Sequence, residues 1–276
     1  MKLGVNMNRL RGKNFVVTGA MGLLGIQHVL AILSEGGKVA LIDIDSTKME
    51  SFTRDLPENQ RSNVIAIKCD ISQENEVMLA ARMIGETFGF VHGLVNNASI
   101  NASVEKNLNK FERFEKITYS SWKEELDVGL WGSILCSRIF GVLMIEGGIK
   151  GSIVNISSDH GLIAPNQNLY KIDGLLDEEQ PVKPVTYSVI KHGLIGLTRY
   201  LATYWSASGI RINTLCPGGV LNNQNDQFIS RIKSLIPLGR MANPNEYWGA
   251  LIFLLSDESS YMTGSTMVVD GGRSVW

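Results

Sequence analysis

Apolar residues fall along this chain in two alternating rhythms. Short β-rich runs read as buried strands: Asn14 to Thr18, Lys38 to Asp43, Asn63 to Cys69, Val91 to Val95, Gly151 to Ser157, Ile210 to Cys216 and Ser265 to Asp270. Between them lie longer stretches whose apolar residues recur every three or four positions and read as helices: Ile26 to Ser34, Glu74 to Phe88, Tyr119 to Glu146, a stretch beginning near Tyr187, about Asn225 to Leu235, and Pro244 to Ser256. Strands alternating with helices predict an α/β fold, a doubly wound parallel sheet of about seven strands with helices on both faces. No repeat, low-complexity tract or linker interrupts residues 1–276, so a single domain is expected. Asp43, Asp70, Asn96, Ser158 and Pro217 fall at the carboxyl ends of predicted strands, where such sheets bind ligands.

Composition narrows the class. The 276 residues are 44% hydrophobic and 19% charged, with a formal net charge of −1 and no long basic run. A large core is affordable, and nucleic acid is not an expected partner. The stretch Met1 to Asn14 carries four cations and no apolar centre, so no signal peptide is expected. No uninterrupted apolar run reaches the roughly 18 residues of a membrane span. Cys69, Cys136 and Cys216 stand far apart in apolar segments and read as buried thiols of a reducing compartment. A soluble, cytoplasmic protein follows as the expectation. No His, Cys, Asp and Glu cluster has metal-ligand spacing, so no metal is expected.

The first candidate chemistry lies between the first two strands. Thr18-Gly19-Ala-Met21-Gly22-Leu23-Leu24-Gly25 joins a strand to a helix, and Asp43 closes the next strand. Glycines there allow a tight turn, backbone approach to a pyrophosphate and close helix–strand packing, with the helix N-terminus facing the phosphates. Asp43 can accept hydrogen bonds from both adenosine ribose hydroxyls and would repel a 2′-phosphate. No arginine follows it within Ile44 to Lys48, which favours NAD over NADP. Lys48 reads as a solvated helix-face cation.

The second is Tyr187-Ser-Val-Ile-Lys191. Residues four apart share a helix face, and a neighbouring ammonium favours a phenolate. Alone, the pair is a weak signal; in this setting it becomes a candidate proton-transfer site.

With these pieces in place the chain resembles the short-chain dehydrogenase/reductase family from Lys13 to Gly272. The matching residues are the glycine turn, Asp43, Asp70-Ile71, Asn96-Asn97-Ala98, Asn155-Ile-Ser-Ser158, Tyr187-x-x-x-Lys191, Ile210-Arg-Ile-Asn213, Pro217-Gly218 and Val-Asp-Gly-Gly272. The resemblance implies a Rossmann-like fold and hydride transfer between nicotinamide C4 and a secondary alcohol or ketone. It implies Tyr187 as acid/base, Ser158 as hydrogen-bond partner of the substrate oxygen, and Lys191 on both the nicotinamide ribose and the tyrosine. The implied cofactor contacts are Gly19, Met21, Gly22, Leu23, Leu24, Gly25, Asp43, Ile44, Asp70, Ile71, Asn97, Ala98, Ser99, Tyr187, Lys191, Pro217, Gly218, Val220 and Asn222. Ser158, His160, Tyr170 and Gly219 are the candidate substrate contacts. Family members pair through their two long helices and last strand, so a homotetramer or homodimer is expected.

The sequence also departs from the family it resembles. Gly129 stands where asparagine usually helps hold a proton-relay water, and backbone carbonyls near Gly129 are expected to hold it instead. Ser158 and Tyr187 are separated by an insertion at about 165–184, expected to form a lid, and a second insertion lies near 103–118. Tyr170, at the ordinary distance from Ser158, lacks a lysine four residues on, because Gly174 stands there. Both insertions are polar, which suits a hydroxylated ligand. The insertion, the Pro217 turn and Pro184-Val-Thr-Tyr187 most resemble a bacterial branch of flagellin-modification and sugar-acid oxidoreductases, implying a sugar, sugar nucleotide or related polar substrate. A 3-oxoacyl or small-carbonyl reductase, and a dinucleotide sensor without turnover, are the competing readings. His28 and His92 read as structural, and His192 as packed or at a subunit interface.

Overall fold

Seven β-rich runs line up as strands of one sheet: β1 (Asn14–Thr18), β2 (Lys38–Asp43), β3 (Val64–Lys68), β4 (Gly93–Asn96), β5 (Ser152–Ile156), β6 (Arg211–Pro217) and β7 (Thr266–Val269). This is a computed structural model that describes residues 8–100 and 113–276. The order across the sheet is β3-β2-β1-β4-β5-β6-β7, and every pairing is parallel. The order reverses at β1, with β2 on one side and β4 on the other. That reversal opens a crevice at the strand carboxyl ends.

The sheet carries helices on both faces because its strands are apolar on both sides. Phe15 and Val17 of β1 pack with α1 (Leu23–Ser34) and α9 (Trp248–Leu255). Val16, between them, packs with α4 (Glu74–Phe88) and α6 (Gly132–Glu146) on the opposite face, where α7 (Val185–Tyr204) also lies. The remaining helices are α2 (Ser46–Asp55), the single turn α3 (Glu58–Arg61), α5 (Tyr119–Leu126) and α8 (Asp226–Lys233).

Three differences from the periodicity have physical reasons. Helix α1 starts at Leu23 rather than Ile26, capped by an extended Gly22. Leu23 is exposed and breaks the apolar stripe there. Helix α2 escapes detection because only Met49 of its ten residues is buried; Asp45 caps it by accepting from the Lys48 amide at 3.0 Å. Lys48 itself pairs with Asp45 on the surface. The stretch Tyr119 to Glu146 is continuous, but Asp127–Trp131 winds as a π turn between α5 and α6. That 28-residue stretch is long and apolar enough to span a membrane, yet half of its most apolar window is buried within the fold, where Leu135, Cys136, Phe140 and Met144 meet the sheet.

The insertion at 165–184 is built of short turns at Gln167–Tyr170 and Asp177–Glu179. Leu169 packs with Ile232, Ile236 and Met241, and Tyr170 lies on Phe228 of α8 at 5.7 Å between ring centres. Of the insertion near 103–118, residues 103–112 lie outside the described part. Arg113 reaches the carbonyl of Asp177 at 2.8 Å and so joins the two insertions. The three cysteines are buried and free, and His192 is exposed rather than packed within the chain.

His28 is wholly buried in α1, and neither ring nitrogen has a hydrogen-bond partner. Burial lowers its pKa from 6.5 to about 3. A depressed histidine favours folding fully above the unfolded value, and that advantage is lost as pH falls from about 6.5 toward 3. The variant H28L should therefore flatten the acid side of the stability curve over that window, by roughly 2–4 kcal/mol in denaturant unfolding at its low end. An unchanged acid slope would mean His28 takes no part.

Candidate active site

The cofactor end of the crevice is a backbone cradle. Gly19 has φ +60°, and a Cβ there would lie 2.7 Å from Ala98 Cα. A Cβ on Gly25 would lie 2.1 Å from the Gly19 carbonyl oxygen, so Gly25 packs behind the turn rather than on its wall. Thr18 Oγ1 accepts from the amides of Asn97 and Ala98 at 3.1 Å, and Asn97 Nδ2 donates to the carbonyls of Thr18 and Gly19 at 3.0 Å. These bonds lock the end of β4 to the glycine turn. The Asp43 carboxylate accepts from Met21 N at 2.8 Å and Asp45 N at 3.0 Å, which aims it across the turn. One cavity of about 860 Å³ runs from here to the catalytic candidates. The other proposed cofactor contacts all line it: Gly22, Leu23, Leu24, Ile44, Asp70, Ile71, Ser99, Pro217, Gly218, Val220 and Asn222. Leu23, the first residue of α1, is exposed and lines the crevice beside the turn.

Ser158, Tyr187 and Lys191 meet at the far end of the same cavity. Ser158 follows β5, while Tyr187 and Lys191 occupy successive turns of α7. A reciprocal clasp sets the helix against the strand end. Lys191 Nζ donates to the Ile156 carbonyl at 3.0 Å, and Ser157 Oγ donates to the Lys191 carbonyl at 2.7 Å. Ser157 thus faces the helix, leaving Ser158 to the cavity. A Cβ at Gly161 would come within 2.4 Å of Ser157 Oγ, so this approach requires glycine. Burial pushes the Tyr187 phenol up to about 12, opposed by a hydrogen bond with Ser158. Burial also lowers Lys191 to about 8, with Lys183 adding to the effect. Tyr170 lines the cavity from the insertion, its ring tilted against Phe228.

A buried ion pair, which sequence reasoning missed, closes the substrate end. Arg273 Nη1 donates to Asp159 Oδ2 at 2.6 Å, with both side chains about 5% exposed. Ser158 Oγ donates to Asp159 Oδ1 at 2.7 Å, and the His160 amide donates to the same oxygen at 2.8 Å. Ser158 must therefore exchange its bond to Asp159 to donate to a substrate. His160 is buried edge-on to the Tyr187 ring at 6.0 Å, and burial lowers its pKa to about 4. Asp159 and Arg273 are 114 residues apart, so no local pattern could have linked them.

Gly129 lies in the π turn, and its carbonyl accepts from Ser133 Oγ at 3.1 Å. A Cβ there would sit 2.9 Å from Ile190 Cγ2. Ile190 thus occupies the space that an asparagine side chain would enter. Beneath the site a buried polar chain runs from Ser137 through Asn96, Asn155 and Thr198 to Thr214, with four contacts of 2.7–2.8 Å. It ties α6, β4, β5, α7 and β6 together.

The short chain dehydrogenase family matches residues 13–171, and the description enoyl-(acyl carrier protein) reductase matches residues 179–274. The chain belongs to the short-chain dehydrogenase family. It is 29% identical to D-threitol dehydrogenase of Mycolicibacterium smegmatis, over 97% of this chain and 95% of that one. It is 31% identical to post-translational flagellin modification protein A of Campylobacter coli, covering 95% and 98%. A solved short-chain dehydrogenase from Leptospira borgpetersenii with bound NAD+ superposes with a TM-score of 0.84 at 29% identity, over 99% of this chain and 97% of that one. The likeness to the flagellin-modification protein agrees with the branch that the insertion suggested.

Removing one member of a buried ion pair strands the other. The R273M variant is expected to lose about 3–5 kcal/mol of stability, and D159N/R273M to recover much of it. Denaturant unfolding of the two proteins measures the difference; equal losses would show that the pair is not coupled.

Proposed function

We propose that this protein is an NAD-dependent dehydrogenase that oxidises a secondary alcohol of a polyol, sugar or related polar metabolite, and reduces the matching ketone in reverse. The observation that carries this reading is the convergence of Ser158, Tyr187 and Lys191 on the cavity whose other end is closed by Asp43. The cradle fits a dinucleotide: glycines where a Cβ would collide, the start of α1 lining the cavity, and a carboxylate at the ribose end. When bound, the cofactor supplies the hydride acceptor.

The chain supplies the rest. The Tyr187 phenolate takes the proton of the substrate hydroxyl, acting as general base. Ser158 leaves Asp159 to hydrogen-bond the substrate oxygen as its charge changes. Asp159 stays paired with Arg273, so losing the serine's hydrogen bond does not leave an isolated buried charge. Lys191 holds the nicotinamide ribose and favours the phenolate. In reduction Tyr187 returns the proton. His160, Tyr170 and Gly219 line the substrate end with polar and flat surface that suits a hydroxylated chain. The D-threitol dehydrogenase relationship supports the same substrate class. Asp43 closes β2 at the edge of the cavity, where its carboxylate would repel a 2′-phosphate, and this supports NAD over NADP. The three buried thiols support a cytoplasmic location.

The exposed apolar residues Trp131, Val142, Leu143, Val189, Tyr200 and Tyr204 on the π turn, α6 and α7 support assembly through these helices. Light scattering on the purified protein should give a homotetramer or homodimer; a monomer at micromolar concentration would refute this.

NAD reduction, followed by absorbance, tests the activity on a panel of polyols, sugar acids, sugar nucleotides and 3-oxoacyl thioesters. Turnover with a polyol or sugar is expected, falling by about 10²–10⁴ in Y187F. NAD should be preferred to NADP by about a hundredfold, and D43A should narrow that by tenfold or more, on the order of 1.4 kcal/mol per decade. Turnover with acyl thioesters alone would overturn the substrate class, and NAD binding without any turnover would favour a sensor.

A further inference from the structure

The tyrosine has two ammonium neighbours, one on each side along the chain: Lys183-Pro-Val-Thr-Tyr187-Ser-Val-Ile-Lys191. Lys191 Nζ lies 5.5 Å from the Tyr187 ring centre. Lys183 Nζ lies closer, 3.8 Å from the same centre and over the ring. Lys183 comes from the end of the insertion, just before Pro184 caps α7, and it lines the same cavity as Tyr187 and Ser158.

We propose that Lys183 is a positioning residue of the hydride-transfer site, its ammonium held over the Tyr187 ring so as to favour the phenolate. This rests on the reading of Tyr187 as acid/base.

The physical argument is direct. A cation over an aromatic face is attracted by the ring's electron density. Ionisation of the phenol adds electron density, so the attraction is stronger for the phenolate than for the phenol. The cation therefore shifts the proton equilibrium toward the base form. The shift is needed, because burial, with Asp159 and Cys216 adding to it, pushes Tyr187 up to about 12. The groups that face this tyrosine come from several elements. Ser158, Asp159 and His160 stand in the turn after β5, Lys191 on α7 and Cys216 on β6. Asp159 and Cys216 both oppose ionisation, which leaves the two lysines and the Ser158 hydrogen bond in its favour. Lys183 is itself lowered to about 8 by burial, while Asp159 and Glu125 act to keep it protonated. It is therefore a cation at neutral pH, and its help is present below about 8 and fades as it loses its proton above that.

The test compares wild type, K183M and K183R with bound NAD. The near-ultraviolet absorbance of the phenolate is titrated, with Y187F as the blank, and the acid limb of kcat/KM for alcohol oxidation is recorded alongside. In K183M both should move to higher pH by about one unit, roughly tenfold less phenolate below the limb. K183R, which keeps a cation over the ring, should return both to within a few tenths of a unit. K183Q serves as a second neutral variant should K183M fail to fold. An unchanged ionisation in the neutral variant, or a K183R that behaves like K183M, would overturn the proposal. So would a rise in KM with the acid limb unmoved, which would make Lys183 a substrate contact instead. The absorbance titration needs no turnover, so it reads the Lys183 effect even if no polyol is oxidised and the proposed substrate class falls.

Discussion

Everything at the candidate active site depends on how α7 is held against the end of β5. Two hydrogen bonds make that contact, Lys191 Nζ to the Ile156 carbonyl and Ser157 Oγ to the Lys191 carbonyl. Both are buried, where an unmade bond is costly and a made one is strong. They set the depth and rotation of the helix at once. Tyr187, one turn before Lys191, then falls beside Ser158 without any loop having to be adjusted. The glycine at position 161 is the steric counterpart of this contact, since any larger residue would push the serine turn off the helix.

Charge is arranged around that contact in a graded way. The Asp159–Arg273 pair is nearly dry and mutually neutral. It ties the segment after β7 to the serine turn after β5, so a residue three from the end of the chain orients the candidate hydrogen-bond donor. Lys183 and Lys191 are both lowered to about 8, each made easier to deprotonate by burial. Asp159 and Glu125 act against that lowering at Lys183, and Cys216 does so at Lys191. The polar chain from Ser137 to Thr214 pairs most of its buried polar groups in the layer below, with the Asn96 Oδ1 left without a partner.

At Gly129 apolar packing takes the space of a side chain. Judged from sequence, the glycine leaves a gap in a proton path. In the structure the gap is filled: Ile190 packs where a Cβ would project, and the backbone there takes a π turn. A change at 129 is therefore also a change against α7, and the two positions must be altered together.

Much of this protein was legible in its sequence because the signals are local. Strand and helix periodicity, the glycine turn with Asp43, and the four-residue step from Tyr187 to Lys191 each reflect backbone geometry over a few residues. Gly174 was the ground for setting Tyr170 aside as the acid/base, and Tyr170 lies against Phe228 of α8. Helix α2 was not legible, because with Met49 alone buried it has no apolar stripe to read. Arg273 with Asp159, Lys183 over the tyrosine ring, and Ile190 against Gly129 belong to tertiary structure alone. Each is a contact between side chains from different elements, and only the packing of those elements decides which chemical groups meet. The sequence by itself determined that a nicotinamide site with a tyrosine base could form; the fold decided which charges surround that tyrosine, because burial and distance, not spacing, set their strength.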